Sequence, residues 1–343
     1  MKEFKINFEN IASIDNLLEA WKEFVRGKRG KMDVQEFSFC LMDNIFLLHR
    51  ELIYHIYRHG GYQAFRISDP KPRNIHKATV RDRLLHHAIY RILYPYFDNK
   101  FIADSFSCRL NKGTHKALNR FREFGYKTSR NNTRTCWILK CDIKKFFVNI
   151  NHFVLMDICK KQIQDKNILW LVERVINSFY IENKKGVGLP LGNLTSQLFA
   201  NVYMNVFDQF VKHKLKVGYY IRYADDFVIF SENRIWLENQ ISPIKNFLRD
   251  TLKLELHPQK VFIKSYASGV DFLGWVHFPR YRQLRTVTKR RMLKNMRYNP
   301  KPETVASYRG LLKWGNTFKL KCEIIKLYSG SFRENAFPLD FLC

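Results

Sequence analysis

The chain has 343 residues, 46% of them hydrophobic, enough to bury a sizeable core and to divide into two or three subdomains. Lys and Arg number 59 against 31 Asp and Glu, a formal charge of +28 that exceeds any need of solubility and points to a polyanionic partner. A membrane partner is not expected. The N-terminus MKEFKINFENIASIDN lacks an apolar signal core, and no apolar run approaches the roughly 20 residues of a membrane helix, so the expected location is cytoplasmic. The seven cysteines are scattered without a C-x-x-C pair, which argues for reduced thiols rather than disulfides or a zinc knuckle.

In chain order, residues 11 to 58 read as helical, with IDNLLEAWKEFV and FCLMDNIFLLHRELIYHIYR separated by the basic break RGKRGK. Gly60-Gly61 close this region, and YQAFRISD reads as a short strand. The proline- and base-rich PKPRNIHKATV leads into a helix with Leu84, Leu85, Ala88, Ile89, Ile92 and Leu93 at helical spacing. RLNKGTHKALNRF is either a turn and helix that bind a phosphate backbone or a solvated basic face.

TCWILKCDI, residues 135 to 143, alternates as a strand, with Trp137, Leu139, Cys141 and Ile143 on one face and Ile138, Lys140 and Asp142 on the other. KKGVGLPLGNLTSQLFANVYMNVFDQF starts as a Gly/Pro loop and becomes a helix with Leu194, Leu198, Val202 and Val206 four apart. GYYIRYADDFVIF, residues 218 to 230, reads as two strands about a turn at Ala224-Asp225. From Val276 to Cys343 the chain holds 15 Lys and Arg against 4 Asp and Glu, which reads as a small helical subdomain contacting phosphates.

Adjacent acids at a hairpin tip are either a solvated turn or a pair completed by a cation. Asp142, ending an earlier strand, favours the second reading. Three carboxylates gathered by neighbouring strands can hold two magnesium ions about 3.5–4 Å apart, one activating a 3′-hydroxyl and one neutralising the leaving phosphates.

KCDIKKFF, GLPLGNLTSQ, RYADDFVIF, LELHPQK and DFLGW resemble motifs A to E of reverse transcriptases, in the same order and at similar spacing. FRISDPKPRNIHKATVRDRLLHH, DSFSCRLNKGTHKAL and SYRGLLKWGNT extend the likeness over most of residues 12 to 320. Together they look like the reverse transcriptases of diversity-generating retroelements, within the group II intron and retron-like superfamily. Motif B separates the branches, because Pro190-Leu191-Gly192 is followed by Ser196-Gln197 where group II intron and retron enzymes usually have Pro-Gln-Gly and Ser-Pro. The tail is thumb-sized, and no maturase or H-N-H extension is expected.

The resemblance implies an α+β right-hand polymerase with an RRM-like antiparallel palm sheet of motif A, the YADD hairpin and motif E. It implies a helical N-terminal extension over 1–60, fingers over 61–134 with 151–192 returning to fingers and palm, palm over 135–150 and 193–275, and a basic helical thumb over 276–343. Asp142, Asp225 and Asp226 would be catalytic and would bind Mg2+, or Mn2+ in its place, with the Ile143 carbonyl. Lys71, Arg73, Phe147, Leu191 and Gly192 would meet the nucleotide, with Phe147 as the steric gate against a 2′-hydroxyl. Val148 departs from the acidic residue many relatives carry there. Lys260 would be a general acid, Phe272, Leu273 and Gly274 the primer grip, and Lys289, Arg290 and Arg291 the backbone contacts.

The implied activity is RNA-directed synthesis of error-prone cDNA from a template-repeat RNA for mutagenic retrohoming. The implied partners are template RNA, the cDNA or primer strand, dNTPs and a basic, oligomeric accessory variability protein in a bacterial or phage setting. A retron-like or antiphage-defence reverse transcriptase is the alternative, and a non-catalytic RNA scaffold is opposed by the intact aspartates.

Overall fold

The computed structural model describes residues 6–68, 72–182, 184–298 and 301–331. Lys71, expected at the triphosphate, lies outside the described residues. Four helices open the chain, α1 (Phe8–Ala12), α2 (Ile14–Phe24), α3 (Met32–Phe39) and α4 (Leu41–Ile53). Ser13 caps α2 by accepting the Asn16 N–H at 3.3 Å, and the helix buries Leu17, Ala20, Trp21 and Phe24 along one face. The single helix expected over 39–58 is instead divided at Cys40 and ends after Ile53. His55, with φ 56°, reverses the chain there, and Tyr57 turns inward to donate to Asp82 at 2.8 Å.

A hairpin follows, β1 (Tyr62–Ile67) and β2 (Arg73–Ala78), with Ile67 opposite Arg73. Thr79 caps the next helix, α5 (Val80–Asp98), accepting the Asp82 N–H at 3.2 Å and donating to its carboxylate at 2.6 Å. The fully buried Asp82 also accepts the Gly60 N–H at 3.0 Å, tying the hairpin entry to α5. Gly113 leads into α6 (Thr114–Thr128).

The central sheet begins with β3 (Trp137–Asp142). The chain then makes α7 (Phe146–Asn149), α8 (His152–Gln162), α9 (Lys166–Ile176) and α10 (Leu194–Gln209), which continues in a π turn over Phe210–Lys214. It returns through β4 (Tyr220–Tyr223) and β5 (Asp226–Ser231), crosses α11 (Arg234–Leu252) and adds β6 (Phe262–Ser265). The strand order is β4-β5-β3-β6 and every pairing is antiparallel.

The alternation read in residues 135–143 sorts β3 between two cores. Leu139, Cys141 and Ile143 join Phe227 and Ile229 in a large core continuous with α1, α2, α4 and α5. Ile138 joins Val228, Phe230 and Phe121 of α6 in a second core on the other face.

Motif E does not complete this sheet, contrary to expectation. The tight turn Tyr266–Ser268 and Gly269, at φ 82°, carry the chain away from β6. β7 (Val270–Phe272), β8 (Trp275–His277) and β9 (Arg282–Leu284) then form a separate antiparallel sheet. Three-residue strands carry too little alternation to assign a sheet from sequence. Helices α12 (Thr286–Tyr298), α13 (Pro302–Leu312) and α14 (Phe318–Ser331) follow, and their Met292, Met296, Leu312 and Leu320 share a third core with Trp275. No helix among the described residues is long and apolar enough to cross a membrane.

Candidate active site

The β3–β5 register places Asp142 directly opposite Asp226 at one end of the central sheet. Asp225 occupies the two-residue turn between Tyr223 and Asp226, which are themselves paired. Ala224 adopts φ 56° there, a left-handed conformation that costs a non-glycine residue energy, and strain of this kind collects at functional sites. Backbone bonds fix the corner. The Asp225 carbonyl accepts the Ile143 N–H at 3.0 Å, and the Asp142 carbonyl accepts the His257 N–H at 2.8 Å. Ile143, next in sequence to Asp142, is buried.

Cations surround the carboxylates. Lys260 Nζ donates to Asp142 Oδ1 at 3.0 Å, and Lys140 Nζ lies 3.3 Å from Asp226 Oδ2. Asp226 Oδ1 is buried without a hydrogen-bond partner among the described residues. Burial pushes the Asp226 carboxyl up to about 7, although Lys140 opposes it. Asp225 is raised first by burial and then by the charge of Asp142, while Lys260 and Arg73 pull it down.

A cation would reverse both effects, so the donor set suits a hard metal ion. Among the described residues no three His, Cys, Asp or Glu side chains form a ready ligand set. Magnesium does not require one, because it binds through one or two carboxylates together with waters and substrate phosphates. Asp142 and Asp225 would hold such an ion, with Asp226 set aside by Lys140.

The nucleotide-side residues gather around this corner. Lys145, at φ 46°, turns the chain from the end of β3 into α7, where Phe147 is half-buried with its ring 5.3 Å from Phe146. The Phe147 carbonyl accepts the Leu189 N–H at 2.8 Å, which ties motif A to the motif B loop. That loop is clipped to β2, as the Leu191 carbonyl accepts the His76 N–H at 2.9 Å and Asn193 Nδ2 reaches the His76 carbonyl at 3.4 Å. Gly192 has φ 111°, and a Cβ there would stand 2.8 Å from Ile75 Cγ2, so its close approach is to the β2 strand of its own chain. Leu191 is half-buried and belongs to none of the three cores. Arg73, at the start of β2, is exposed yet near enough for its charge to act on Asp225.

The remaining expected residues lie elsewhere. Phe272 is fully buried in the second core, and the Leu273-Gly274 turn, with both φ positive, is half-buried, Leu273 packing against the second and third cores. Lys289 pairs with Glu323 at 3.6 Å, Arg290 is exposed and Arg291 is half-buried beside Trp314. Lys140 and His76 were missed as site residues. Lys140 shares the strand face of Asp142 by simple alternation, so its signal was present, whereas nothing in the sequence marks the clip through His76.

The sequence pattern of the reverse transcriptase (RNA-dependent DNA polymerase) family matches residues 68–277. Protein YkfC of Escherichia coli is 24% identical over an alignment covering 63% of this chain and 67% of that protein. Group II intron-encoded protein LtrA of Lactococcus lactis is 26% identical, covering 60% of this chain and 44% of that protein. The chain thus spans two thirds of the first relative and less than half of the second. Among solved structures, apo telomerase from Candida tropicalis matches with TM-score 0.50 and 12% identity over 66% of this chain and 55% of its own, a likeness of fold alone. The match of more than half the chain, spanning the carboxylate corner, places this protein in the reverse transcriptase family.

Proposed function

We propose that this chain is the polymerase of a diversity-generating retroelement, copying a template-repeat RNA into error-prone cDNA. The observation that carries the polymerase chemistry is the crowding of Asp142, Asp225 and Asp226 at one sheet end, with charge left over for a cation to complete. Two bound magnesium ions would activate the primer 3′-hydroxyl and neutralise the departing pyrophosphate. The chain's own residues bind and orient around them. Arg73 holds the triphosphate, as guanidinium geometry suits, and the Lys71 ammonium adds positive charge. Phe147 lies against the sugar and excludes a 2′-hydroxyl. Lys260, which donates to Asp142, is placed to act as the general acid toward pyrophosphate. The Leu273-Gly274 turn supports the primer end, and Lys289, Arg290 and Arg291 neutralise the nucleic-acid backbone.

In this reading, residues 61–134 with 151–192 act as fingers, 135–150 and 193–275 as palm, and 276–343 as thumb. Leu191 supports the mutagenic branch. Its side chain lies outside the cores beside the clipped motif B loop, and it offers no donor or acceptor where most relatives have Gln. A basic, oligomeric accessory variability protein is the proposed partner alongside template RNA, primer and dNTPs. Primer extension on a defined RNA, with deep sequencing of the products in the presence and absence of an accessory protein, tests both levels. Errors concentrated at template adenines are expected. Faithful cDNA would remove the mutagenic branch, and absence of any cDNA would remove the polymerase assignment.

A further inference from the structure

Between α6, the β7–β9 sheet and the Trp314-Gly315-Asn316 turn lies a cavity of about 230 Å³. None of its lining residues belongs to the carboxylate corner. Arg122, Arg280 and Arg282 line it together with His277, Tyr266 and Trp314, and no acidic residue among the described residues does. Arg282 donates through Nε to the Trp314 carbonyl, but its Nη1 is buried without a partner among the described residues. His277 is 1% exposed, and its Nε2 is likewise without a partner among the described residues. Burial, and then the charge of Arg122, hold the Arg282 guanidinium below its ordinary range. Burial and Arg282 hold His277 down at about 3. Both effects come first from burial and then from neighbouring positive charge.

The wall is closely packed. Asn316 N–H donates to the Arg282 carbonyl at 2.9 Å, and a Cβ on Gly315 would clash with the Trp275 ring and stand 2.9 Å from that same oxygen, so a glycine lets the turn close against β8 and β9. Phe278 and Tyr281 stack with centroids 4.7 Å apart at the rim. Guanidinium groups beside aromatic faces suit a phosphate with its attached base.

We propose that this cavity is a phosphate-binding site that takes one nucleotide of an RNA strand, its phosphate on Arg122 and Arg282 and its base against the Phe278–Tyr281 stack. The phosphate chemistry stands on the cavity alone, while the choice of RNA as its source rests on the polymerase reading.

The test is isothermal titration of the full chain with AMP in EDTA, which keeps nucleotide from binding through metal at the carboxylates. The wild type should bind, and Arg122→Gln should bind about tenfold more weakly, the worth of one charge-assisted hydrogen bond. Lys245→Gln, an exposed cation on α11, should match the wild type. A single-stranded RNA titrated over a salt series then identifies the source, because losing one contacted phosphate should reduce the log–log slope of Arg122→Gln by about 0.7. Weakened AMP binding with an unchanged RNA slope would overturn the RNA occupant. Equal AMP binding by wild type, Arg122→Gln and Arg282→Gln would overturn the site. Primer extension by the wild type on a pre-annealed template reports on the polymerase reading by itself, so its failure is distinguishable from failure of this site.

Discussion

Arg222 and Asp226 stand four residues apart on the β4–β5 hairpin, and the fold treats their charges in opposite ways. Arg222, 1% exposed, grips the fully buried Asp208 through Nε and Nη2, both at 2.7 Å. Its Nη1 reaches the Ala224 carbonyl at 3.2 Å and Asn201 at 3.3 Å, and Tyr220 donates to Asp208 at 2.8 Å. Every nitrogen of that guanidinium has a partner, as a buried charge requires. Asp226, by contrast, has one oxygen without a partner among the described residues and leans on Lys140 with the other. The lesson is that this hairpin satisfies the charge that builds it and leaves the acids at its tip partly unsatisfied, as the proposed metal chemistry would need.

The comparison breaks most visibly at Asp208. Asp208→Ala strands Arg222 in the core and should destabilise the protein by about 3–5 kcal/mol, read as a lower urea midpoint. A loss near zero would mean that the pair is ornamental.

Next in size is Phe147→Ala. It opens space beside the carboxylates, so ribonucleotide incorporation relative to deoxynucleotide should rise in primer extension, with a modest loss of stability because the half-buried Phe147 packs against the large core. Unaltered discrimination would make it a packing residue.

Leu191→Gln should lower misincorporation by at most about tenfold, since one net hydrogen bond contributes roughly 0.5–1.5 kcal/mol. Sequenced products with an unchanged error spectrum at equal yield would exclude Leu191 from fidelity.

The smallest effect is a pH dependence of stability. The folded-state pKa of Asp226 is raised to about 7, so the folded protein favours its protonated form, and that stabilisation is lost as pH climbs from the ordinary carboxylate range through about 7. In EDTA, Asp226→Asn should therefore gain on the wild type as pH rises, by about 2 °C or more in Tm at pH 8. A gain that grows toward low pH instead would reverse the assignment.

Much of this corner was legible from residues alone. Alternation in TCWILKCDI put Lys140 and Asp142 on one strand face, and the apolar runs about Ala224-Asp225 gave the hairpin and its two-residue turn. Helical spacing from Leu194 gave α10, whose Leu198 and Val202 are buried. What escaped depends on contacts between distant segments. The His76–Leu191 clip joins residues far apart in sequence, through backbone atoms that carry no side-chain signal. The arginine cavity needs α6, β9 and a glycine turn after α13 to meet. Motif E escaped because strands as short as β7 and β8 leave no pattern to read, and the break at Cys40 escaped because both flanks are good helix formers.

The most direct test of the central claim measures folding and catalysis on one preparation of Asp225→Asn. The substitution removes a negative charge that burial and Asp142 already disfavour, while nearly preserving shape. The account predicts a thermal midpoint equal to or above that of the wild type, together with no detectable cDNA from a primed RNA in magnesium. Extension at the wild-type rate, or a collapse of the fold like that expected of Asp208→Ala, would contradict it.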